Sequence, residues 1–256
     1  MRFDLTRPNT GRMIDYWLGG NHNFEIDRQL ADQIGQNHAV VRDQVLVARA
    51  LVKQGVTYFH QRGIKTILDF GAGLPTCGNT HQVAHALDPN MRVLYSDIDP
   101  ITVAYGQELV QGNANVLYLH CDAVTPMTIL ETARVREFLA NPERVGIIFL
   151  ALAHTLSDDQ LRAAFQTLHT WAMPGSLMMV SQASDLWKTD PELLAIAAIY
   201  QRSNMSGFFR SRAELRDLAQ PWQVTVEGVT DYEQWGATPP REPSPRPIGY
   251  AMMLIK

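Results

Sequence analysis

The stretch "TILDFGAGLPTCGNTHQVAHAL", Thr66–Leu87, joins an apolar run to a helical pattern through a turn that contains two glycines. The run ends near Asp69, and Gly71 and Gly73 follow one residue apart. A dinucleotide fold would need a third glycine where Thr76 stands, and a Walker loop would need a Gly-Lys-Ser/Thr sequence. The stretch therefore predicts a strand–turn–helix unit that binds a ligand other than a pyrophosphate.

The carboxylate in front of the glycines indicates which ligand would suit this turn. Asp69 would repel a pyrophosphate but would attract a cofactor that carries an ammonium and a sulfonium group, directly or through water. Gly71 and Gly73 allow a ligand to approach the backbone closely and can adopt a positive φ. We therefore predict S-adenosylmethionine as the cofactor.

Two more acids stand at the predicted ends of the next strands. "RVLYSDIDP" ends its strand at Asp97, which we expect to accept both ribose hydroxyls. "VLYLHCDAV" ends the third strand at Asp122, which we expect to accept the adenine amino group, with the backbone of Ala123 beside it. Open α/β sheets bind ligands in one crevice at these ends. We also expect Ile98 and Leu152 to contact the cofactor there.

Other functions are compatible with parts of this pattern. Acids often follow strands because they cap helices and form turns, and Asp99 before Pro100 fits a helix cap better than a metal ligand. His81 and His85 lie four residues apart, but no third ligand accompanies them, so we predict no metal site. An NAD(P)-dependent oxidoreductase would share the acid at the second strand, and a cofactor-sensing protein without turnover is a third alternative.

The remaining pattern predicts an α/β architecture. Residues 10–60 are mainly helical, and from residue 64 short apolar strands alternate with helices, which predicts a mostly parallel sheet. Two strands near the end, "WQVTVEGVTDY" and "IGYAMMLIK", have no helix between them and predict an antiparallel pair at the sheet edge. We predict a helical N-terminal cap over residues 1–60 and a cofactor-binding domain over residues 61–256. The predicted strands before that pair are Ile64–Phe70, Arg92–Ser96, Val116–Leu119, Val145–Leu152 and Leu177–Ser181, and the helices between them are Asn79–Leu87, Ile101–Gln111, Thr128–Ala140 and Ser157–Trp171.

Composition bears on the partners and the compartment. The formal net charge of the 256 residues is −4, with no run of Lys and Arg, which argues against a nucleic-acid partner. Two isolated cysteines suit a reducing compartment, the N-terminus has no apolar signal core, and the longest apolar run is too short for a bilayer. We expect a cytoplasmic protein with a small-molecule substrate and no membrane partner. A homodimer is one assembly that the sequence allows.

Several segments of the sequence together resemble a known family. "DFGAGLPTCGNTHQVAHALDPNMRVLYSDIDP", with "RMIDYWLGGNHNFEIDR" upstream, is similar to the S-adenosylmethionine-dependent methyltransferases long known as a domain of unknown function (Methyltransf_19). The likeness extends more loosely through "MPGSLMMVSQASD" to "FFRSRAEL". It implies a class I methyltransferase (Rossmann-like) fold, in which a seven-stranded sheet has its last strand reversed, and S-adenosylmethionine as cofactor. It implies no particular acceptor, and "NHNF" replaces the usual Lys-Asp-Asn-Phe.

Two further places are candidates for the chemistry. His154 follows the fourth strand, where the donor methyl should lie, and its ordinary pKa would suit a general base. The segment "DYWLGGNHNF" places aromatic and amide groups around a glycine turn, and we expect it to close over the cofactor as a lid. Within it we expect Tyr16, Gly19 and Asn23 to contact the cofactor.

Overall fold

Seven strands form one sheet in the computed structural model, which describes residues 7–75, 78–203, 205, 207–237 and 241–256. The order across the sheet is β3-β2-β1-β4-β5-β7-β6. The strands are β1 (Thr66–Phe70), β2 (Arg92–Asp97), β3 (Val116–His120), β4 (Gly146–Phe149), β5 (Leu177–Ala183), β6 (Gln223–Asp231) and β7 (Gly249–Ile255).

Helices precede the sheet and connect its strands. Short 3-10 turns cover Ala153–Thr155 and Asp185–Lys188. In the part of the chain that the structure describes, no helix combines the length and the apolar character needed to cross a membrane. The α-helices of the described residues are α1 (Thr10–Trp17), α2 (Glu25–Asn37), α3 (Ala39–Gln61), α4 (Thr80–Leu87), α5 (Pro100–Leu109), α6 (Met127–Leu130), α7 (Ala133–Leu139), α8 (Asp158–Trp171), α9 (Pro191–Arg202) and α10 (Arg212–Leu218).

The strand directions confirm the predicted fold class. The pairs β1–β2, β1–β4, β2–β3 and β4–β5 are all parallel, and β7 runs antiparallel between β5 and β6. The last strand is thus the reversed one in a mostly parallel seven-stranded sheet. Parallel strands need crossover connections, which α4, α5 and α8 supply. Because the crossovers return the chain to the same end of the sheet, the carboxyl ends of β1 to β4 all lie at that one end.

One predicted helix is divided in the structure. The sequence predicted a single helix over Thr128–Ala140, whereas α6 and α7 are separate and Thr132 lies between them. The hydroxyl of Thr132 accepts a hydrogen bond from the backbone N–H of Val135, so this residue caps a new helix. A Thr cap has extended backbone dihedral angles, which interrupt a helix even where the apolar spacing continues.

Helix α3 packs directly on the middle of the sheet. The ring of Phe59 is fully buried against Gly146 at the start of β4. A Cβ at position 146 would lie 2.5 Å from Cδ2 of Phe59, which is far inside van der Waals contact. Helix and strand can approach this closely only because residue 146 has no side chain.

Replacing Gly146 by alanine should destabilise the protein by about 1–3 kcal/mol, because the added methyl group overpacks the contact with Phe59. Urea unfolding followed by circular dichroism measures this change. The same substitution in a Phe59→Leu background should cost clearly less, because the smaller side chain leaves room. Equal costs in the two backgrounds would contradict this account of the contact.

Candidate functional site

The turn after β1 places two glycines in left-handed backbone conformations. Gly71 has a φ of 64° and Gly73 a φ of 62°, a region that side chains strongly disfavour. Space at Gly71 is also tight, because a Cβ would lie 3.0 Å from Cδ1 of Leu152. The structure therefore brings three of the predicted cofactor residues together and explains why two of them are glycines.

Asp97 holds this turn from the neighbouring strand. The backbone N–H of Gly73 donates to Oδ2 of Asp97 over 3.0 Å, and the N–H of Asp99 donates to Oδ1 over 2.9 Å. The hydroxyl of Tyr118 on β3 donates to the carbonyl of Gly73 over 2.7 Å. Burial raises the pKa of Asp97, and the backbone N–H groups partly offset this effect. The turn after β1 is thus fixed by groups on both β2 and β3.

The ends of β2 and β3 form one continuous surface. The N–H of Cys121 donates to the carbonyl of Asp97, which brings Asp122 and Ala123 beside the end of β2. The carboxylate of Asp122 is half-buried and accepts the N–H of Val124 over 2.9 Å. Ile98 leaves 61% of its surface exposed at this place, although it is apolar. An exposed isoleucine between two carboxylates suits a flat, polar-edged group such as a nucleoside base.

Asp69 is more enclosed than the other two acids. Its side chain is only 7% exposed, and the hydroxyl of Thr80 at the start of α4 donates to Oδ2 over 2.5 Å. Burial raises the pKa of Asp69 to about 7, while the Thr80 hydrogen bond and the charge of Arg49 act in the opposite direction. Contact of this carboxylate with a bound cation stays a prediction.

The predicted contacts in the N-terminal segment form bonds within that segment. The amide of Asn23 donates to the carboxylate of Asp15 and to the carbonyl of Gly20. The hydroxyl of Tyr16 donates to Asp32 over 3.0 Å. Gly19 forms the turn itself, with a φ of 79° and no atom within 4 Å of a Cβ position. The structure therefore gives Gly19 and Asn23 roles in shaping the turn and bonds Tyr16 to α2, and the contact of these residues with a cofactor stays a prediction.

Arg12, which belongs to none of the predicted site motifs, connects the N-terminal segment to the sheet. Its guanidinium is 2% exposed and donates to Asp27 over 2.8 Å and to Asp99 over 3.3 Å. The adjacent Gly11 approaches the glycine turn, since a Cβ there would lie 3.4 Å from Cα of Gly73. Helix α1 thereby begins against the predicted cofactor loop. The burial of Arg12 was not predictable from the sequence, because a charged residue in an amphipathic helix is usually exposed.

A cavity of about 330 Å³ lies beside the loop. Thr10 and Ala151 both line it, and each is the immediate neighbour of a residue that packs on the glycine turn, Gly11 or Leu152. The cavity therefore adjoins the predicted cofactor loop at two points. Its other walls come from α1, α3, β5 and α9, from Trp187, and from Met205, Gly207, Phe209 and Tyr232.

His154 lines this cavity from the 3-10 turn that follows β4. Burial lowers its pKa to about 4, and the nearby charge of Arg210 acts in the same direction. The imidazole is therefore uncharged at neutral pH. Its Nδ1 is buried and has no hydrogen-bond partner among the described residues.

Arg210 fixes the turn that carries His154. The guanidinium is 2% exposed and donates to the carbonyls of Ala153 and Leu156 and to Oε1 of Gln182 on β5. It also forms an ion pair with Asp158 at 2.8 Å. Arg210 lies within "FFRSRAEL", a segment that shares the family resemblance, and this is the one feature of the sequence that pointed to it. The local sequence pattern did not predict that this arginine is buried.

Replacing Asp69 by asparagine should stabilise the cofactor-free protein by on the order of 2 kcal/mol more at pH 8 than at pH 5. The folded-state pKa of about 7 lies above the ordinary value of 3.8. The folded protein therefore holds a proton that the unfolded chain releases across this window, so the stability contributed by Asp69 falls as the pH rises.

Thermal unfolding of wild type, Asp69→Asn and the exposed control Asp43→Asn at the two pH values would test this expectation. The hydrogen bond from Thr80 can persist, since an amide oxygen also accepts. Stabilisation by Asp69→Asn that is the same at pH 5 and pH 8 would contradict a raised pKa.

Comparison with known proteins is consistent with this arrangement. A candidate methyltransferase from Thermobifida fusca YX is 28% identical, with a TM-score of 0.87 over 99% of this chain and 96% of that one. A DUF574 family protein from Streptomyces avermitilis MA-4680 is 22% identical, with a TM-score of 0.84 over the whole of both chains. Human N-acetylserotonin methyltransferase, solved with S-adenosylmethionine, shares 13% identity and a TM-score of 0.50 over 98% of this chain and 63% of that one, which shows a common fold alone.

The family itself is established by sequence. A comparison with curated proteins found no match. The family model described as S-adenosyl methyltransferase (Methyltransf_19) matches residues 1–253, which is almost the full length. The chain therefore belongs to the S-adenosyl methyltransferase family, whose methyl donor is S-adenosylmethionine.

Proposed function

We propose that the protein transfers the methyl group of S-adenosylmethionine to a small molecule bound in the cavity beside the glycine turn. The observation that carries this proposal is the position of the cavity, which adjoins the turn at Thr10 and at Ala151. A donor at the strand ends and an acceptor in the cavity would be neighbours. Positioning of this kind contributes much of the catalysis in group transfer.

The residues at the strand ends fit the donor. Asp97 would accept the ribose hydroxyls, and Asp122, Ala123 and the exposed side chain of Ile98 would hold the adenine. When bound, S-adenosylmethionine supplies an electrophilic methyl group on a positively charged sulfur.

The remaining predicted contacts surround the other end of the donor. Gly71 and Gly73 would present backbone to it, and Asp69 would balance its positive charge. Leu152 and the N-terminal residues Tyr16, Gly19 and Asn23 would complete the enclosure. The approach of Gly11 to Gly73 supports the N-terminal part of this assignment.

His154 would accept the proton that the acceptor loses. Its lowered pKa makes it a weak base in the free protein, but an O–H or N–H group becomes strongly acidic as its heavy atom gains a bond. A weak, uncharged base is then sufficient. The position of His154 in the cavity wall supports this role, because a bound acceptor would lie beside the imidazole.

The other expectations from the sequence are also part of this proposal. The acceptor would be a small molecule and not a nucleic acid, which the formal charge of −4 supports. The protein would act in the cytoplasm, with residues 1–60 as the cap and residues 61–256 as the catalytic domain. A homodimer stays a prediction.

Calorimetric titration with S-adenosylhomocysteine should show stoichiometric binding, and Asp97→Asn should weaken it about 10- to 100-fold through loss of charged hydrogen bonds. Asp43→Asn, which removes an exposed carboxylate of α3, is the control and should leave the affinity unchanged. Binding of NAD in place of S-adenosylhomocysteine would contradict the proposal and favour an oxidoreductase.

His154→Gln should reduce methyl transfer at least about 100-fold while the affinity for S-adenosylhomocysteine is kept, because glutamine can accept a hydrogen bond but takes no proton. Transfer of labelled methyl to small molecules in a cell extract provides the assay. His169→Gln, which replaces a histidine packed on Trp222, is the matched control. If the wild-type protein binds the cofactor but forms no methylated product in the extract, the result would favour a sensor without turnover.

A further inference from the structure

We propose that the acceptor is an uncharged, predominantly apolar molecule with a flat aromatic ring system. This inference rests on the proposed function and specifies the substrate class for the same site. The charge balance of the cavity, the shape of its walls and the placement of its polar groups each support it.

No charged side chain of the described residues lines the cavity. Its walls are mainly apolar and aromatic, and their uncharged polar groups belong to Thr10, Gln44, His154, Thr155, Ser181, Gln201 and the hydroxyls of Tyr200 and Tyr232. A buried charge without an opposite partner carries a large desolvation cost. A carboxylate, a phosphate or an amino acid zwitterion would therefore meet no compensating group in this cavity.

The buried cation beside the turn of His154 is already neutralised. Arg210 lies behind the turn of His154, and its guanidinium is bonded to Asp158, to two backbone carbonyls and to Gln182. Recruiting it for a ligand carboxylate would break these bonds and detach the turn that carries His154. The imidazole itself is uncharged at neutral pH. Neither group therefore offers a positive charge to an acceptor.

Five aromatic side chains contribute to the walls. Trp187 and Phe209 stack with their ring centroids 5.3 Å apart and an angle of 15° between their planes, and both line the cavity with Trp17, Tyr200 and Tyr232. Aromatic rings favour offset stacking on other rings. The volume of about 330 Å³ is at the small end of ligand pockets, which range over about 300–1,000 Å³. A small ring system therefore fits better than a long or branched chain.

The polar groups are few and come from different walls. Gln44 belongs to α3, Ser181 to β5 and His154 to the turn after β4. Ser181 accepts the N–H of Ala151 over 2.8 Å, and its hydroxyl is also hydrogen-bonded to the side chain of Tyr232. Such sparse, separated groups fix the orientation of an otherwise apolar ligand. They suit an acceptor with one or two hydroxyl or amine groups on its ring.

Two probes of nearly the same shape test the charge preference. At pH 7, 2-naphthol is uncharged and 2-naphthoate is an anion, and each would be titrated by calorimetry into the full chain with and without S-adenosylhomocysteine. We expect 2-naphthol to bind at least tenfold more tightly. Equal or tighter binding of 2-naphthoate, or no binding of 2-naphthol, would overturn the inference.

Two alanines of α9 locate the bound probe. Ala197 lines the cavity and Ala195 is exposed on the same helix. Ala197→Trp should abolish binding of 2-naphthol, whereas Ala195→Trp should leave it unchanged, with thermal unfolding as the check that both variants fold. Binding that survives Ala197→Trp would place the probe elsewhere and overturn the inference.

A charge placed in the cavity provides an independent test if the tryptophan variant does not fold. Gln44→Lys should tighten binding of 2-naphthoate at least fivefold relative to the uncharged control Gln44→Met. An unchanged preference would overturn the inference. Titration with S-adenosylhomocysteine separates the two proposals, because its failure in the wild type refutes methyl transfer, whereas intact binding with a preference for 2-naphthoate refutes only the acceptor class.

Discussion

The hydrogen bond between the N–H of Gly73 and the carboxylate of Asp97 is the contact on which the site depends. It requires a left-handed residue in the turn after β1 and an acid at the end of β2, and it brings the two strand ends to a common edge. Tyr118 extends the same connection to β3 through the carbonyl of Gly73. Any ligand that engages Asp97 must share that carboxylate with the turn, so the turn and the predicted ribose site respond to a ligand together.

Two buried arginines connect distant parts of the chain to this edge. Arg12 joins α1 and α2 to Asp99 after β2, and Arg210 joins the segment before α10 to the turn after β4 and to β5. Each is paired with a carboxylate, as buried charges must be to avoid a large desolvation cost. Charged side chains are therefore placed at the cofactor loop, which carboxylates border, whereas the described residues that line the neighbouring cavity are uncharged.

The fold was predictable because its signals are local. Apolar runs that end in Asp69, Asp97 and Asp122 indicated both the strands and the edge at which they finish, and the two glycines indicated the turn. The course of Thr128–Ala140 was not predicted, because a capping threonine interrupts the chain without changing its apolar spacing. Arg12 and Arg210 were not recognised because their burial depends on partners that lie far away in the sequence. Trp187, Tyr200 and Phe209 are large aromatic residues, which in most proteins belong to the core. Only the tertiary structure shows that these three line a cavity.

The cavity draws part of its wall from helices that take no part in the predicted donor contacts. Helices α3 and α9 contribute Gln44, Ala197 and Tyr200, while the acids at the strand ends belong to the sheet. Substitutions on those helix faces can reshape the acceptor pocket and leave the donor machinery unaltered. Descendants of one ancestral scaffold could therefore diverge toward different metabolites through changes in a few helical positions, with the same chemistry retained throughout.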